Sequence, residues 1–338
     1  MKSIDVSQAI GMVLGQDLTR IVPGEFKGVA FKKGHIIEEA DIAVMRSMGK
    51  NNVYVLELTP HDVHENDAAG KLAGMVAGCG LEATEAAEGK VELRAAMPGL
   101  LKIDIDRLYR LNLLEGLALA ALHDGVAARQ GEVVAAAKII PLLLPAATLE
   151  QAAAVCSGRP LIEIAAFSVK QAGLIITGNE VYHGLIEDRF EAVICEKLSA
   201  LGSKVAETVF LPDDKLSIAE AVTRLAGKYD LVIVTGGMSV DPDDVTPGAI
   251  RSTGAEVTVY GTPVLPGAML MTAYLQGIPV LGIPACGMYA RVTVLDVVLP
   301  RILAGEKITR KYIAGLGHGG LCRKCADGCR YPDCSFAK

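Results

Sequence analysis

Between residues 173 and 302 the chain repeats one kind of junction: a short run of β-branched residues halts at glycine, and apolar residues at helical spacing follow. "GLIIT" (173–177) stops at Gly178, and "DLVIVT" (230–235) stops at Gly236 and Gly237. "KVAETVFL" (204–211) and "GIPVLGIP" (277–284) read as two further strands. Phe190, Val193, Ile194, Lys197, Leu198 and Leu201 repeat at helical spacing, with Gly202 as the C-terminal cap. A second helix is expected from about Leu216 to Ala226, and Val292, Leu295, Val298, Leu299 and Ile302 mark a third. Thr246 reads as the N-cap of a short helix with Pro247 at its first position. This alternation predicts an α/β fold, a mostly parallel sheet with helices on both faces.

In such sheets ligands sit outside the carboxyl ends of the strands. That rule gathers "TGNE" (177–180), "PDD" (212–214), "TGGMSVDPDD" (235–244) and "IPACGM" (283–288) on one edge. Glycines there let backbone N–H groups approach an anion, whereas carboxylates repel one. A divalent cation reconciles the two, because Mg²⁺ is commonly held by one or two carboxylates together with substrate phosphate oxygens. The expected ligand is therefore a small phosphorylated molecule. The bland alternative is that Asp241, Asp243 and Asp244 are ordinary turn residues.

The order and approximate spacing of "TGNE", "TGGMSVDPDD", "PVLPGAM" and "GIPVLGIPACGM" resemble the molybdopterin-binding domain of molybdenum-cofactor biosynthesis proteins, over about residues 170–305. The resemblance is nearest to the MoeA-type molybdopterin molybdenumtransferases. "DDVTP" (243–247) also resembles the MogA-type adenylyltransferases, and "AIGMVLGQDLTRI" (9–21) and "FKKGHIIEEADIAVMRSMG" (31–49) look like MoeA-type segments. The resemblance implies that Glu180, Asp213 or Asp214, and Asp244 are the acidic residues that place Mg²⁺ and molybdate beside the cofactor's dithiolene and phosphate, as catalytic groups. Thr177, Gly178, Asp213, Thr235, Gly236, Gly237, Ser239, Asp241, Pro266, Gly267, Pro284 and Cys286 are the matching candidates for holding the cofactor. The chain departs from the family at Ala268, where a phosphate-binding lysine is expected, and at Ala285, Cys286, Gly287 and Tyr289, which replace a glycine-asparagine-proline turn and a serine. Losing the lysine removes a charge-assisted contact, which bears on the transferase reaction more than on binding. Cys286 reads either as a soft ligand or, more simply, as a small buried residue.

Four segments follow: a MoeA-like N-terminal segment (1–60), an α+β region (61–168), the molybdopterin-binding domain (169–310) and a glycine-rich linker with a cysteine tail (311–338). In the second, "HDVHENDAAGKLA" (61–73) clusters His61, His64, Glu65 and Asp67; without an HExxH arrangement a solvated helix start is the simpler reading than a metal site. "HDGVAARQGEVVAAAKIIPLLLP" (123–145) reads as a β-hairpin around Arg129, Gln130 and Gly131. In the tail, Cys322, Cys325, Cys329 and Cys334 have a spacing that fits one Zn²⁺ or an iron–sulfur cluster, and Arg323, Lys324 and Arg330 would favour thiolates there.

With 51% hydrophobic residues in 338, the chain can bury sizeable cores. Its longest apolar runs are broken by proline and fall short of the roughly 20 residues a membrane span needs. A net charge of −6 without a basic cluster, and 4% aromatic residues without tryptophan, argue against nucleic acid or anionic lipid as partners. The N-terminus lacks a signal-peptide pattern, so a cytoplasmic location is expected. Two functional readings follow. One is an enzyme of cofactor maturation that binds molybdopterin or its adenylated form with Mg²⁺ and inserts molybdate. The other is a non-catalytic cofactor carrier or sensor, serving a molybdoenzyme client, with a metal- or redox-responsive tail. The resemblance also implies a homodimer. A serine hydrolase built on Ser239 is disfavoured, because "GMSVD" lacks the last glycine of a nucleophile elbow.

Overall fold

The computed structural model describes residues 2–338 except 23–25, 58, 170, 240, 242 and 243, so the turn reading of Asp243 lies outside the described residues. The chain divides into two compact units: Met1–Ala96, Ile103–Leu122 and Gln130–Glu163 form the first, and Met97–Lys102, His123–Arg129 and Ile164–Lys338 the second.

The second unit holds a six-stranded sheet. In chain order its strands are β1 (Gln171–Thr177), β2 (Lys204–Leu211), β3 (Leu231–Thr235), β4 (Glu256–Tyr260), β5 (Met271–Leu275) and β6 (Ile278–Ile283), arranged β2-β1-β3-β6-β5-β4. The first four in that arrangement are parallel, and at the far edge β5 pairs antiparallel with both β6 and β4. Alternation along the strands sorts side chains into two cores. Leu174, Ile176, Leu231, Ile233, Leu281 and Ile283 pack with helices α2 (Phe190–Ser199) and α6 (Val294–Leu303). Ile175, Val232, Val234 and Val280 face the other way, onto α3 (Lys215–Ala226) and α4 (Thr246–Ser252). The sheet is thus α/β, mostly parallel and covered on both faces. The expected antecedents hold closely: β2 spans the eight residues read as a strand, and α3 begins one residue before Leu216.

Glu207 on β2 accepts from Lys228 Nζ (2.8 Å), Arg224 Nη1 (2.6 Å) and the Tyr229 hydroxyl (2.9 Å). These donors, Lys228 foremost, draw its carboxyl down from 4.5 to about 2. A depressed carboxyl contributes stability that is present above the unfolded value and lost as pH falls through the folded one. A carbon-13 titration of the Glu207 carboxyl is expected to show a midpoint near 2, returning toward the ordinary range in Lys228→Ala/Arg224→Ala; an ordinary midpoint in the parent chain would refute the triple contact.

The first unit is built from small antiparallel sheets. Asn52–Leu56 lies between Lys2–Asp5 and Val13–Leu14, and Val133–Ile139 lies between Leu117–Ala121 and Lys90–Ala95. The hairpin expected across residues 123–145 does not form. Ala127 and Ala128 pair with Leu100 and Gly99 in the second unit, whereas Val133–Ile139 is a central strand of the first. Val134, Ala135, Ala137 and Ile139 are buried, which a two-stranded ribbon could not achieve. Among the described residues no helix is long and apolar enough to cross a membrane.

Candidate functional site

β1 is flanked by β2 on one side and β3 on the other; the connection leaving β1 runs toward β2 and the one leaving β3 toward the opposite edge, so they diverge between the carboxyl ends of β1 and β3, a topological switch point. Register pairs Ile176 with Thr235 and Thr235 with Ile283, and Thr177 with Leu211, which brings the loops after β1, β2, β3 and β6 to one edge as the sequence predicts. The loop after β3 is pressed onto the end of β1. Gly236 has φ +91°, and a Cβ there would stand 2.3 Å from the Thr177 carbonyl oxygen, a place only glycine can occupy. Thr177 Oγ1 donates to the Thr235 carbonyl (3.1 Å), so both threonines are spent on holding the two strand ends together.

Around Gly237 two polar atoms are left over. Thr246 Oγ1 and Asp213 Oδ1 are buried and have no hydrogen-bond partner among the described residues. A Cβ on Gly237, whose φ is +55°, would stand 3.0 Å from the first and 3.7 Å from the second. Asp213 is held there by a reciprocal pair with Asn179: Asn179 N–H donates to Asp213 Oδ2 (3.0 Å), and Asp213 N–H donates to Asn179 Oδ1 (3.3 Å). Thr246 is fully buried and sits inside α4 rather than capping it, because Val245 takes the cap position. That one-residue shift frees its hydroxyl. Unpartnered buried oxygens in native proteins call for an explanation, among them strain, a catalytic role, or a bound water or ion.

The other acidic candidates are deployed differently. Asp214 caps α3, accepting from Ser217 N–H (2.8 Å) and Oγ (2.7 Å), and the backbone donor chiefly lowers its carboxyl pKa. Glu180 is exposed in the short helix α1 (Asn179–Tyr182), behind Gly178 with φ +142°. Asp244 is half-buried, accepting the Asp241 N–H at Oδ2 (3.2 Å) and donating its own N–H to the Asp241 carbonyl (3.0 Å). Ser239 is exposed, and its carbonyl accepts from the Tyr260 hydroxyl (3.3 Å). Sequence reasoning passed over Lys215. Its Nζ stands 4.0 Å from where a Cβ on Gly248 would be, over the first turn of α4. Its position directly after "PDD" was the available signal for a cation on this edge.

Gly267, Pro284 and Cys286 line a gap beside Val294 and Leu295 that is too narrow to admit a water molecule, and the Pro266 carbonyl accepts from the Val294 N–H (3.2 Å). Gly267 has φ +115°, and a Cβ there would meet Val294 Cγ1 at 2.6 Å. Cys286 opens α5 (Cys286–Tyr289), and burial pushes its thiol pKa up, which favours the packing reading over a reactive thiolate.

The metal site expected on Cys322, Cys325, Cys329 and Cys334 is not assembled: among the described residues no group of three or more histidine, cysteine or acidic side chains is placed to hold a metal. Cys325 and Cys329 are exposed, while Cys322 and Cys334 pack against the core of the second unit. The tail is fastened by other means. Leu265 N–H donates to the Gly320 carbonyl (2.8 Å) and Cys322 N–H to the Leu265 carbonyl (2.9 Å). Phe336 and Ala337 are buried in that core, and the Tyr331 hydroxyl donates to the Asp296 carbonyl (3.1 Å). These apolar anchors turn the intervening thiols to different environments.

Residues 173–304 match the family model described as a probable molybdopterin binding domain, and residues 3–57 match one described only as a domain of unknown function. A CinA-like protein of Thermotoga maritima is 38% identical over 82 residues, which is 24% of this chain and 20% of that protein. One from Citrifermentans bemidjiense is 35% identical over 88 residues, covering 26% and 21%. The chain thus spans about a fifth of the length of these relatives. Among solved structures, the MoaB molybdopterin biosynthesis enzyme of Thermus thermophilus is 21% identical with a TM-score of 0.35, covering 40% of this chain and 98% of its own. The MoeA protein of Pyrococcus horikosii is 14% identical with a TM-score of 0.34, covering 90% and 75%. The match to a probable molybdopterin binding domain over residues 173–304 thus falls on the doubly covered, mostly parallel sheet whose carboxyl edge carries the motif-bearing loops.

Proposed function

We propose that the second unit binds molybdopterin, or its adenylated form, and acts in molybdenum-cofactor biosynthesis, with the cofactor's phosphate at the switch-point edge. The observation that carries this reading is the pair of orphaned oxygens, Asp213 Oδ1 and Thr246 Oγ1, beside the glycine loop of a domain matched to that family. A carboxylate and a hydroxyl are hard oxygen donors that suit Mg²⁺, and Mg²⁺ accepts so small a protein share because substrate phosphate and water complete its shell. Bound there, the metal would neutralise phosphate charge. Lys215 supplies the nearby cation that Ala268 does not. The carboxylates Asp244 and Glu180 stand at the rim, where they would orient the metal's water ligands. We place binding ahead of molybdate insertion, since Ala268 removes a contact that transition-state charge would call on.

Calorimetric titration of the chain with molybdopterin in the presence and absence of Mg²⁺ tests this. Asp213→Asn is expected to weaken Mg²⁺-dependent binding by about 10- to 100-fold, the loss of one charged contact. Thr246→Val is expected to weaken it less while leaving the fold intact, because the hydroxyl makes no internal bond. Unchanged affinity in both variants would overturn the reading. Release of AMP from adenylated molybdopterin on adding molybdate would assign the transferase step, and binding without turnover would assign the carrier.

A further inference from the structure

The first unit contains a cavity of about 480 Å³ that the proposed function does not use. Its lining includes Asp17, Lys32, Lys33, Glu65, Glu88 and Lys138. Glu65, read from sequence as part of a solvated helix start, is only 6% exposed. It is the first residue of the helix Glu65–Val76, and its N–H donates to the Leu142 carbonyl (2.9 Å). The helix dipole favours a carboxylate there, but burial without donors costs about 1–3 kcal/mol or more. Among the described residues, no hydrogen bond or ion pair reaches the Glu65 carboxylate.

The surroundings are arranged to leave it open. Gly34 (φ +89°) and Gly89 (φ +69°) flank it, and a Cβ on either would stand 2.7 Å from Oε1 or 2.8 Å from Oε2. Neither glycine donates to it: Gly34 N–H goes to the Leu14 carbonyl (2.8 Å) and Gly89 N–H to Asn66 Oδ1 (2.8 Å). His64, also buried, bonds the Gly34 carbonyl through Nε2 (2.5 Å) and accepts the Asn66 N–H (3.3 Å), which fixes one wall. The lysines face the same cavity with a different charge. Lys32 pairs with Glu88, Lys138 donates to the Glu88 carbonyl, and the Lys33 ammonium has no ion-pair partner among the described residues.

A buried two-oxygen acceptor, with the Lys33 and Lys138 ammonium groups in the same lining beside Asp17 and the Lys32–Glu88 pair, asks for a ligand with adjacent N–H donors at one end and an anion at the other. A planar donor pair matches a carboxylate bidentately, and the cavity has the size of sites for small-molecule ligands. We propose that this cavity is a binding site for a phosphorylated bicyclic heterocycle with a 2-amino-4-oxopyrimidine edge, the edge reading Glu65 and the phosphate meeting Lys33 and Lys138. Guanine nucleotides and phosphorylated pterins share that chemistry. The site stands apart from the loop edge of the second unit and does not depend on its function.

Titration of the full chain with GMP, a monophosphorylated pterin, IMP and inorganic phosphate tests the proposal. Binding of GMP or the phosphopterin below about 1 mM is expected, and the tighter of the two identifies the source. IMP, which lacks the 2-amino group, and the variant Glu65→Gln are each expected to lose about 10- to 100-fold, and Lys33→Ala about 10-fold. Thermal unfolding gives a readout without ligand: Glu65→Gln is expected to raise the midpoint, because it removes an uncompensated buried charge. Binding of neither probe at 1 mM, equal binding by Glu65→Gln, or a lowered midpoint in that variant would each overturn the proposal.

Discussion

Gly236→Ala is expected to destabilise the second unit by about 2–5 kcal/mol, overpacking against a backbone that cannot move aside added to the cost of a left-handed alanine. The new Cβ would fall 2.3 Å from the Thr177 carbonyl oxygen and 2.7 Å from its Oγ1. Relief requires lifting the β3 loop off β1, which breaks the Thr177 to Thr235 hydrogen bond and separates the strand ends that form the switch point. Gly202→Ala is the control. Gly202 also has positive φ, +74°, yet nothing lies within 4 Å of its added Cβ. It should therefore lose only the left-handed backbone preference, about 1–2 kcal/mol. Urea unfolding followed by circular dichroism measures both. Two variants within about 1 kcal/mol of each other would show that the close approach at Gly236 contributes nothing.

A second large loss is expected at Arg301, far along α6 from the loop edge. Its guanidinium donates through Nη1 to Glu306 (2.7 Å) and through Nη2 to Asp124, and it stacks 4.6 Å from the centre of the Tyr312 ring. The Arg301 side chain is 13% exposed, and the two carboxylates are about a quarter exposed. Arg301→Met would take the guanidinium away from both carboxylates, with Glu306 keeping Lys102 (3.1 Å); breaking a buried pair costs about 3–5 kcal/mol, and partial exposure and the remaining contact reduce this to about 2–3 kcal/mol. Gly125 is matched to this arrangement, since a Cβ there would stand 2.4 Å from Arg301 Nη2.

The pH dependence has a definite sign. Burial alone would raise the Glu306 carboxyl pKa, but the hydrogen bonds and charges of Arg301 and Lys102 outweigh it and hold the group below its ordinary 4.5. Its contribution is therefore complete above about pH 4.5 and fades as pH falls through the depressed value. The stability gap between the parent chain and Arg301→Met is expected to be widest near neutrality and to shrink as the pH falls below the ordinary 4.5 through the depressed value. A gap independent of pH would mean that lost packing on Tyr312, and not charge, carries the effect.

Much of the second unit was legible because its strands are buried on both faces. Such strands read as continuous β-branched runs that halt where the chain must turn, as at Thr177–Gly178 and Thr235–Gly236. The antiparallel edge strands β4 and β5 were not read, since Glu256–Tyr260 mixes buried and half-buried positions and its pairing depends on a partner that sequence does not name. The hairpin across residues 123–145 failed for the same reason, since local alternation shows that a strand can form and says nothing of what it pairs with.

The candidate site divides along a similar line. Sequence by itself determined which loops share the carboxyl edge, because strand direction and the position of glycines are local properties. It did not determine which oxygens remain free. Asp213 and Asp214 are adjacent carboxylates of identical chemistry, and only the structure commits Asp214 to the cap of α3 while leaving Asp213 Oδ1 without a donor among the described residues. Glu65 is the clearest case. A carboxylate at a helix start carries the same local signal whether water covers it or two glycines enclose it, and Gly34 and Gly89 reach it only when distant strands close around the cavity. Solvent access is a property of the packed chain, so which polar groups are left unpaired, and hence what they can bind, was decided only by the tertiary structure.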